Sequence, residues 1–252
     1  MPSSFDLTGR VAIVTGSRVG LGQGIALAFA EAGASITGVD RGDQDETATL
    51  IRAAGGRFLP LVADLSTTEP IGELVAQTLD AFGKLDILVN NAGIIRRADA
   101  LDFTEADWDD VLNVNLKSAF FLAQACARAM LANGRGGKII NIASMLSFQG
   151  GIRVASYTSS KSGIMGLTRL LACEWAGKGI NVNAIAPGYM ATDNTAALRA
   201  EAARNAEILA RIPAGRWGQP TDLAGAAIFL ASDASAYVHG ATIPVDGGWL
   251  AR

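Results

Sequence analysis

Short apolar runs alternate with helical patterns along the whole chain, and this alternation limits the fold more than any other feature. Residues 11–15, 35–39, 58–62 and 87–89 are brief, apolar and bounded by turn residues, and 138–142, 181–185 and 242–245 continue the series. They read as seven buried strands. Segments of 3.6-residue periodicity separate them. Gly33, Gly55 and Gly83 fall where a helix has to stop before the next strand, a place that favours a left-handed backbone. Thr104 followed by Asp107 resembles a capping box opening one long helix over about 108–133. Strand–helix–strand alternation predicts an α/β fold, a parallel sheet with helices on both faces. No repeat, low-complexity stretch or linker interrupts the 252 residues, so a single domain over 1–252 is expected. The least regular stretch, 187–213, holds one weak helical pattern and reads as a lid or binding loop.

Composition narrows the function classes. Half the residues are hydrophobic and only 6% are aromatic, so the core is built from Ala, Val, Ile and Leu. The formal net charge of -3 argues against a nucleic-acid-binding face. The longest apolar candidate, 223–231, falls far short of the roughly 18 residues of a membrane span. Residues 1–10 carry Asp6 and no apolar stretch, unlike a secretory signal. A soluble cytoplasmic protein is expected. Cys126 and Cys173 have neither metal-ligand nor disulfide-scaffold spacing and read as two reduced core thiols. No metal is expected. The lone His239 lies far in sequence from any candidate site and reads as structural or solvated.

Two segments carry chemistry. Thr15-Gly16-Ser17-Arg18-Val19-Gly20-Leu21-Gly22 follows a strand and opens a helix. Glycines there let a backbone approach a pyrophosphate, whose charge meets the helix N-terminus. The spacing departs from the common G-x-G-x-x-G fingerprint, and a glycine loop alone is also a tight turn. Asp40, after the second strand, suits ribose hydroxyls but also suits a helix cap; Asp64, after the third, suits a place by the adenine. In the second segment, Tyr157 and Lys161 stand one helical turn apart and so share a face. An ammonium beside a phenol favours the phenolate, which would make Tyr157 a usable acid or base near neutrality. Ser144 follows the fifth strand at its carboxyl end, where α/β sheets place their chemistry. Asn115, inside a helix, is either a hydrogen-bonding residue of the helix interior or part of a site.

Taken together, the glycine loop, Asn90-Asn91-Ala92-Gly93, Asn115, Ser144, Tyr157, Lys161 and Pro187-Gly188 resemble the short-chain dehydrogenase/reductases over nearly the whole chain. The resemblance implies a Rossmann-like, doubly wound sheet of order 3-2-1-4-5-6-7 and hydride transfer between NAD and a carbonyl or alcohol. It implies Tyr157 as acid/base and Ser144 as donor to the substrate oxygen. Lys161 would hold the nicotinamide ribose and lower the tyrosine pKa, and Asn115 would hold a water in a proton relay. Gly16, Ser17, Arg18, Gly20, Leu21, Gly22, Asp40, Asp64, Leu65, Asn91, Ala92 and Gly93 would bind the adenosine and pyrophosphate. Pro187, Gly188 and Thr192 would meet the nicotinamide. Family members of this kind are generally homotetramers, packed through the helices near 108–133 and 155–178.

The substrate reading rests on charge. Arg96, Arg97 and Arg153 flank the expected Ser144 and Tyr157, and guanidinium groups bind carboxylates bidentately. An anionic substrate is therefore expected, with Arg153 as first choice for its carboxylate, Arg96 and Arg97 as second, and Gln149 alongside; the resemblance implies that it is a sugar acid. The flanking segments resemble a sugar-acid branch of the family. The alternatives are gluconate itself, an acyl thioester on an acidic carrier, or a non-catalytic nucleotide sensor on the same fold.

Overall fold

The computed structural model describes residues 3–252. Seven parallel strands form one sheet in the order β3-β2-β1-β4-β5-β6-β7. They are β1 (Val11–Thr15), β2 (Ser35–Asp40), β3 (Phe58–Val62), β4 (Ile87–Asn90), β5 (Gly137–Ile142), β6 (Ile180–Pro187) and β7 (Thr242–Val245). The order reverses between β1 and β4, both paired in parallel to each other. Adjacent strand ends diverge there, and α/β proteins bind ligands in the resulting crevice.

Successive side chains on β1 face opposite ways. Ala12 and Val14 pack with Ile25, Phe29, Leu223 and Leu230 from one layer of helices. Ile13 packs with Leu74, Leu122, Cys126 and Met130 from the other. Both faces of the central strands are therefore covered, which explains why they are mostly apolar. The covering helices are α1 (Gly20–Glu31), α2 (Asp45–Ala53), α3 (Ile71–Phe82), α4 (Glu105–Leu112), α5 (Ser118–Ala132), α6 (Ala155–Trp175) and α9 (Ala224–Ala231). Gly33, Gly55 and Gly83 take positive φ beyond α1, α2 and α3. None of the described helices is long and apolar enough to cross a membrane.

Three expectations change. The helix expected over 108–133 is two helices joined by a π-helical turn, Asn113–Lys117. Thr104 caps α4 by accepting from Asp107 N at 3.1 Å. The reciprocal bond is missing, because the Asp107 carboxylate accepts from the Thr104 hydroxyl and pairs with Arg96. Second, the stretch 187–213 is mostly helical, containing α7 (Ala196–Ala200) and α8 (Ala202–Arg211). α8 buries Ile208 and leaves most of its remaining surface to solvent, so it offers few large apolar residues from which to read a helix. Third, Cys126 is a core thiol but Cys173 is exposed.

Candidate active site

A cavity of about 1120 Å³ opens at the carboxyl end of the sheet. Its cofactor half is shaped by backbone. Gly16 and Gly20 take φ of +66° and +61°, values that favour glycine. A side chain on Gly22 would collide with the Gly16 carbonyl and with Asn91. Asn91 locks the loop from the other side, donating to Thr15 O at 2.8 Å and Gly16 O at 3.2 Å. Gly16, Arg18, Gly20, Leu21, Asp40, Asp64, Leu65, Asn91, Ala92 and Gly93 line this half. A loop held this close to a helix N-terminus fits a dinucleotide. Ser17 and Gly22 do not line it. Ser17 is buried and donates to Gln44 Oε1 at 2.6 Å, while Gly22 serves as the packing floor. Pro187 is likewise buried and does not line the cavity, whereas Gly188 and Thr192 do.

Asp40 carries an interaction that its position alone did not reveal. Its Oδ1 lies 3.5 Å from Arg18 Nε and also accepts from Gly42 N at 3.1 Å. Arg41 lines the same corner. The acid that would take the ribose hydroxyls thus sits among two guanidinium groups.

The reacting half is assembled from β5, α6 and the exit of β4. Ser144 follows β5 and caps the short turn Met145–Ser147, its Oγ accepting from Leu146 N at 3.2 Å. Tyr157 and Lys161 project from the first turns of α6 into the cavity. Lys161 Nζ donates to Ile142 O at 2.6 Å and lies 5.7 Å from the Tyr157 ring centre. Burial drives its pKa down from 10.5 to about 8. Burial also pushes Tyr157 up from 10, opposed by the Ser144 hydroxyl and by the charge of Arg97. The expected relation is thereby changed. The groups holding the phenol down are Ser144 and Arg97, while Lys161 is turned toward the end of β5.

Asn115 does not line the cavity. The π turn rotates it inward, where it is 2% exposed. Its Oδ1 accepts from Ile94 N at 2.8 Å, and its Nδ2 donates to Ile94 O at 2.9 Å and Ser160 Oγ at 3.2 Å. The side chain therefore ties the exit of β4 to the turn of α6 that presents Lys161. π turns recur at functional sites because they aim one residue out of helical register.

The three arginines have separate fates. Arg96 is committed to Asp107 at 3.3 Å and Asp110 at 3.1 Å. Arg153 pairs with Asp99 at 3.2 Å, and among the described residues it is the one non-glycine with positive φ, +63°. Arg97 has no ion pair or hydrogen bond among the described residues, and its charge reaches Tyr157. Gln149 lines the cavity and accepts from Trp249 Nε1 at 3.3 Å. Sequence reasoning missed the far wall, formed by Tyr189, Leu198, Arg204, Glu207, Ile208, Arg211 and Trp249. Only the weak pattern of α8 hinted at it.

Switch-point sheet, glycine loop and the Ser144–Tyr157–Lys161 cluster point to one class of protein. The family profile described as enoyl-(acyl carrier protein) reductase matches residues 16–250, and the chain belongs to the short-chain dehydrogenase/reductases. It is an oxidoreductase of that family. It is 63% identical to the 2-dehydro-3-deoxy-D-gluconate 5-dehydrogenase of Escherichia coli (strain K12), over 99% of both chains. An Agrobacterium tumefaciens structure with bound NADP, proposed to be a 2-deoxy-D-gluconate 3-dehydrogenase, shares 58% identity and a TM-score of 0.93 over 99% of both chains. A gluconate 5-dehydrogenase from Burkholderia cenocepacia J2315, in complex with NADP and tartrate, has 42% identity and a TM-score of 0.93. It matches over 99% of this chain and 98% of its own. These relatives support a sugar acid as substrate and a nicotinamide cofactor.

Proposed function

We propose that the protein interconverts 2-dehydro-3-deoxy-D-gluconate and 3-deoxy-D-glycero-2,5-hexodiulosonate with NAD(H), in the breakdown of uronates. The observation that carries this reading is the Arg97 guanidinium, without an ion pair or hydrogen bond among the described residues, in a cavity that also holds Ser144 and Tyr157. A substrate for that arrangement carries a carboxylate and a reacting carbonyl on one short chain.

A bound nicotinamide supplies the hydride in reduction and takes it in oxidation. Ser144 and Tyr157 donate to the substrate oxygen, which gains negative charge as its carbon is reduced. Donors aimed at a developing charge lower the barrier. Tyr157 then yields its proton to that oxygen. Its raised pKa keeps the phenol protonated at neutral pH, the form reduction needs. Lys161, close to both Tyr157 and the backbone near Gly93, holds the nicotinamide ribose. Asn115 fixes Ile94 and Ser160, and through them the placement of Lys161. Arg97 replaces Arg153 as first choice for the carboxylate, because Arg153 and Arg96 already have carboxylate partners.

Asp40 favours NAD by repelling a 2′-phosphate, roughly 4 kcal/mol for two unit charges about 4 Å apart at an effective dielectric of 20. Arg18 and Arg41 weaken that repulsion, so the preference is partial. The expected setting is a cytoplasmic homotetramer in which Trp108, Phe121, Leu131 and Leu170, all partly exposed, are covered by neighbouring subunits. The deciding experiment is a steady-state screen of NADH and NADPH oxidation over the diketo acid, 5-keto-gluconate and a 3-oxoacyl thioester. The highest kcat/KM is expected for the diketo acid with NADH. A clear preference for either rival substrate overturns the substrate assignment. Equal use of both cofactors overturns Asp40 as selector.

A further inference from the structure

Trp249 stands where three parts of the cavity wall meet. It follows β7 through Gly247 and Gly248, both left-handed at φ +65° and +89°. Asp246 secures this turn by accepting from Gly248 N and Leu250 N, each at 2.9 Å. The turn packs directly beyond the lid, since a side chain on Gly248 would meet Pro213 at 3.0 Å. The indole is 4% exposed and still lines the cavity. Its Nε1–H donates to Gln149 Oε1 at 3.3 Å, on the loop that continues from Ser144. Its ring lies under the guanidinium of Arg211 at 4.1 Å, on the last residue of α8. Met145, Ile208 and Ile212 bury the remaining edge.

These contacts are of different kinds. The indole N–H reaches the catalytic loop, and the indole face reaches the lid. A guanidinium stacked on an indole is oriented by ring quadrupole and dispersion without spending its in-plane donors. The guanidinium of Arg211 has no ion pair or hydrogen bond among the described residues, so the stack is its one polar anchor at this end of α8, beside the buried Ile208 and Ile212 and the bond from Arg252 to Ala210 O at 2.6 Å. The lid forms one side of the substrate half of the cavity through Leu198, Arg204 and Ile208.

We infer that Trp249 is a positioning residue that couples closure of lid helix α8 to the placement of the Ser144 loop, with Arg211 as the lid's handle on it. This rests on the sugar-acid reading only for the choice of substrate. Three substitutions separate the arms. Trp249→Phe keeps a ring for Arg211 and removes the bond to Gln149. Arg211→Met keeps the length at an exposed position and removes the cation. Trp249→Ala removes both. KM for the diketo acid should rise about tenfold in Trp249→Ala and about threefold in Arg211→Met, within the range of a lost cation–π contact. Trp249→Phe should fall between wild type and Trp249→Ala. The dissociation constant for NADH, read from its own fluorescence, should change less than about twofold. Hydrogen exchange should quicken in residues 202–211 of Trp249→Ala and Arg211→Met and stay unchanged in α3. Wild-type KM and wild-type exchange in both variants overturn the coupling. So do exchange gains spread through the sheet with NADH affinity falling in step, which would make Trp249 a general core residue. If wild-type enzyme ignores the diketo acid, the substrate reading fails and the exchange data alone still decide the coupling.

Discussion

The two ends of the sheet treat their polar groups in opposite ways. At the amino end, buried charge is answered by protein. Asp86 accepts from Val11 N at 2.8 Å and pairs with Lys84 at 2.9 Å and Arg10 at 3.9 Å. Lys138 donates to Asn181 Oδ1 at 3.1 Å, and Asn181 in turn donates to the carbonyls of Ser235, Ala236 and Val238. At the carboxyl end, Arg97 has no such partner among the described residues, Tyr157 has the Ser144 hydroxyl, and both line a cavity. Local consistency of this kind is usually broken only at functional sites. The contrast teaches that one end is built for stability and the other for a ligand, and each claim can be broken separately.

The largest effect is expected from Tyr157→Phe. The ring keeps its packing and only the phenolic proton goes. A positioned acid is worth roughly 10²–10⁴-fold in rate, so kcat for reduction should fall by that range with NADH affinity near wild type. Retained turnover would remove Tyr157 from the proposed chemistry.

That prediction rests on a residue legible in the sequence, and much else was not. The strands were legible because both faces of the central sheet are covered, which makes most of them short and largely apolar. The glycine loop was legible because Gly16 and Gly20 need positive φ, and glycine is the residue that tolerates it. The π turn at Asn115 was hidden, since one extra residue in a helical turn hardly disturbs an apolar period. Helices α7 and α8 were hidden because α8 buries little beyond Ile208 and few large apolar residues mark it. The fate of each arginine was invisible for another reason. Arg96 and Arg153 are neutralised by Asp107, Asp110 and Asp99, and local sequence does not say which carboxylates a long side chain will reach.

The second expected effect concerns Lys161. Its folded-state pKa, about 8, lies below the ordinary 10.5 because burial disfavours the charge. Between those values the unfolded chain binds a proton that the folded chain does not, so stability should rise with pH from about 8. Above about 10 the raised pKa of Tyr157 acts in the opposite direction, because the unfolded phenol ionises first. The gain between pH 8 and 10 is on the order of 2 to 3 kcal/mol. Urea unfolding across that interval should show the rise in wild type and lose most of it in Lys161→Met. A flat wild-type profile would mean that the ammonium is less desolvated than its burial implies.

Next in size is Arg97→Met. A charged hydrogen bond contributes about 1.5–3 kcal/mol, so kcat/KM for the anionic substrate should fall by roughly ten- to a hundredfold or more. A neutral ketone should lose far less. Running Arg153→Met beside it sharpens the comparison, because Arg153 already has Asp99 as a partner and should show the smaller anion-specific loss. The reverse ranking would restore Arg153 as the carboxylate group.

Asp86→Asn tests the amino end, and its effect should appear in stability alone. Asp86 is 4% exposed at the entrance to β4, and its Oδ2 takes both Val11 N and the Lys84 ammonium. An asparagine oxygen can keep the bond from Val11. Its amide hydrogens would then face Arg10, and Lys84 would keep an oxygen that no longer carries charge. Losing this charge-assisted contact should cost roughly 1–3 kcal/mol. Lys84 and Arg10 are each about a third exposed and can turn toward water, which places the cost in the lower half of that range. For a chain of this length each kcal/mol lowers the midpoint by roughly 2–4 °C. Thermal unfolding should therefore shift down by several degrees. Steady-state kcat and KM, measured well below the transition, should stay within about twofold of wild type. The physical reason is distance along the strands. Asp86 sits before β4 begins, whereas Asn91, Ile94 and Arg97 leave from its other end. A fall in kcat without a fall in midpoint would show that the register of β4 at its amino end is transmitted to the catalytic cluster, and the two ends could no longer be treated as independent.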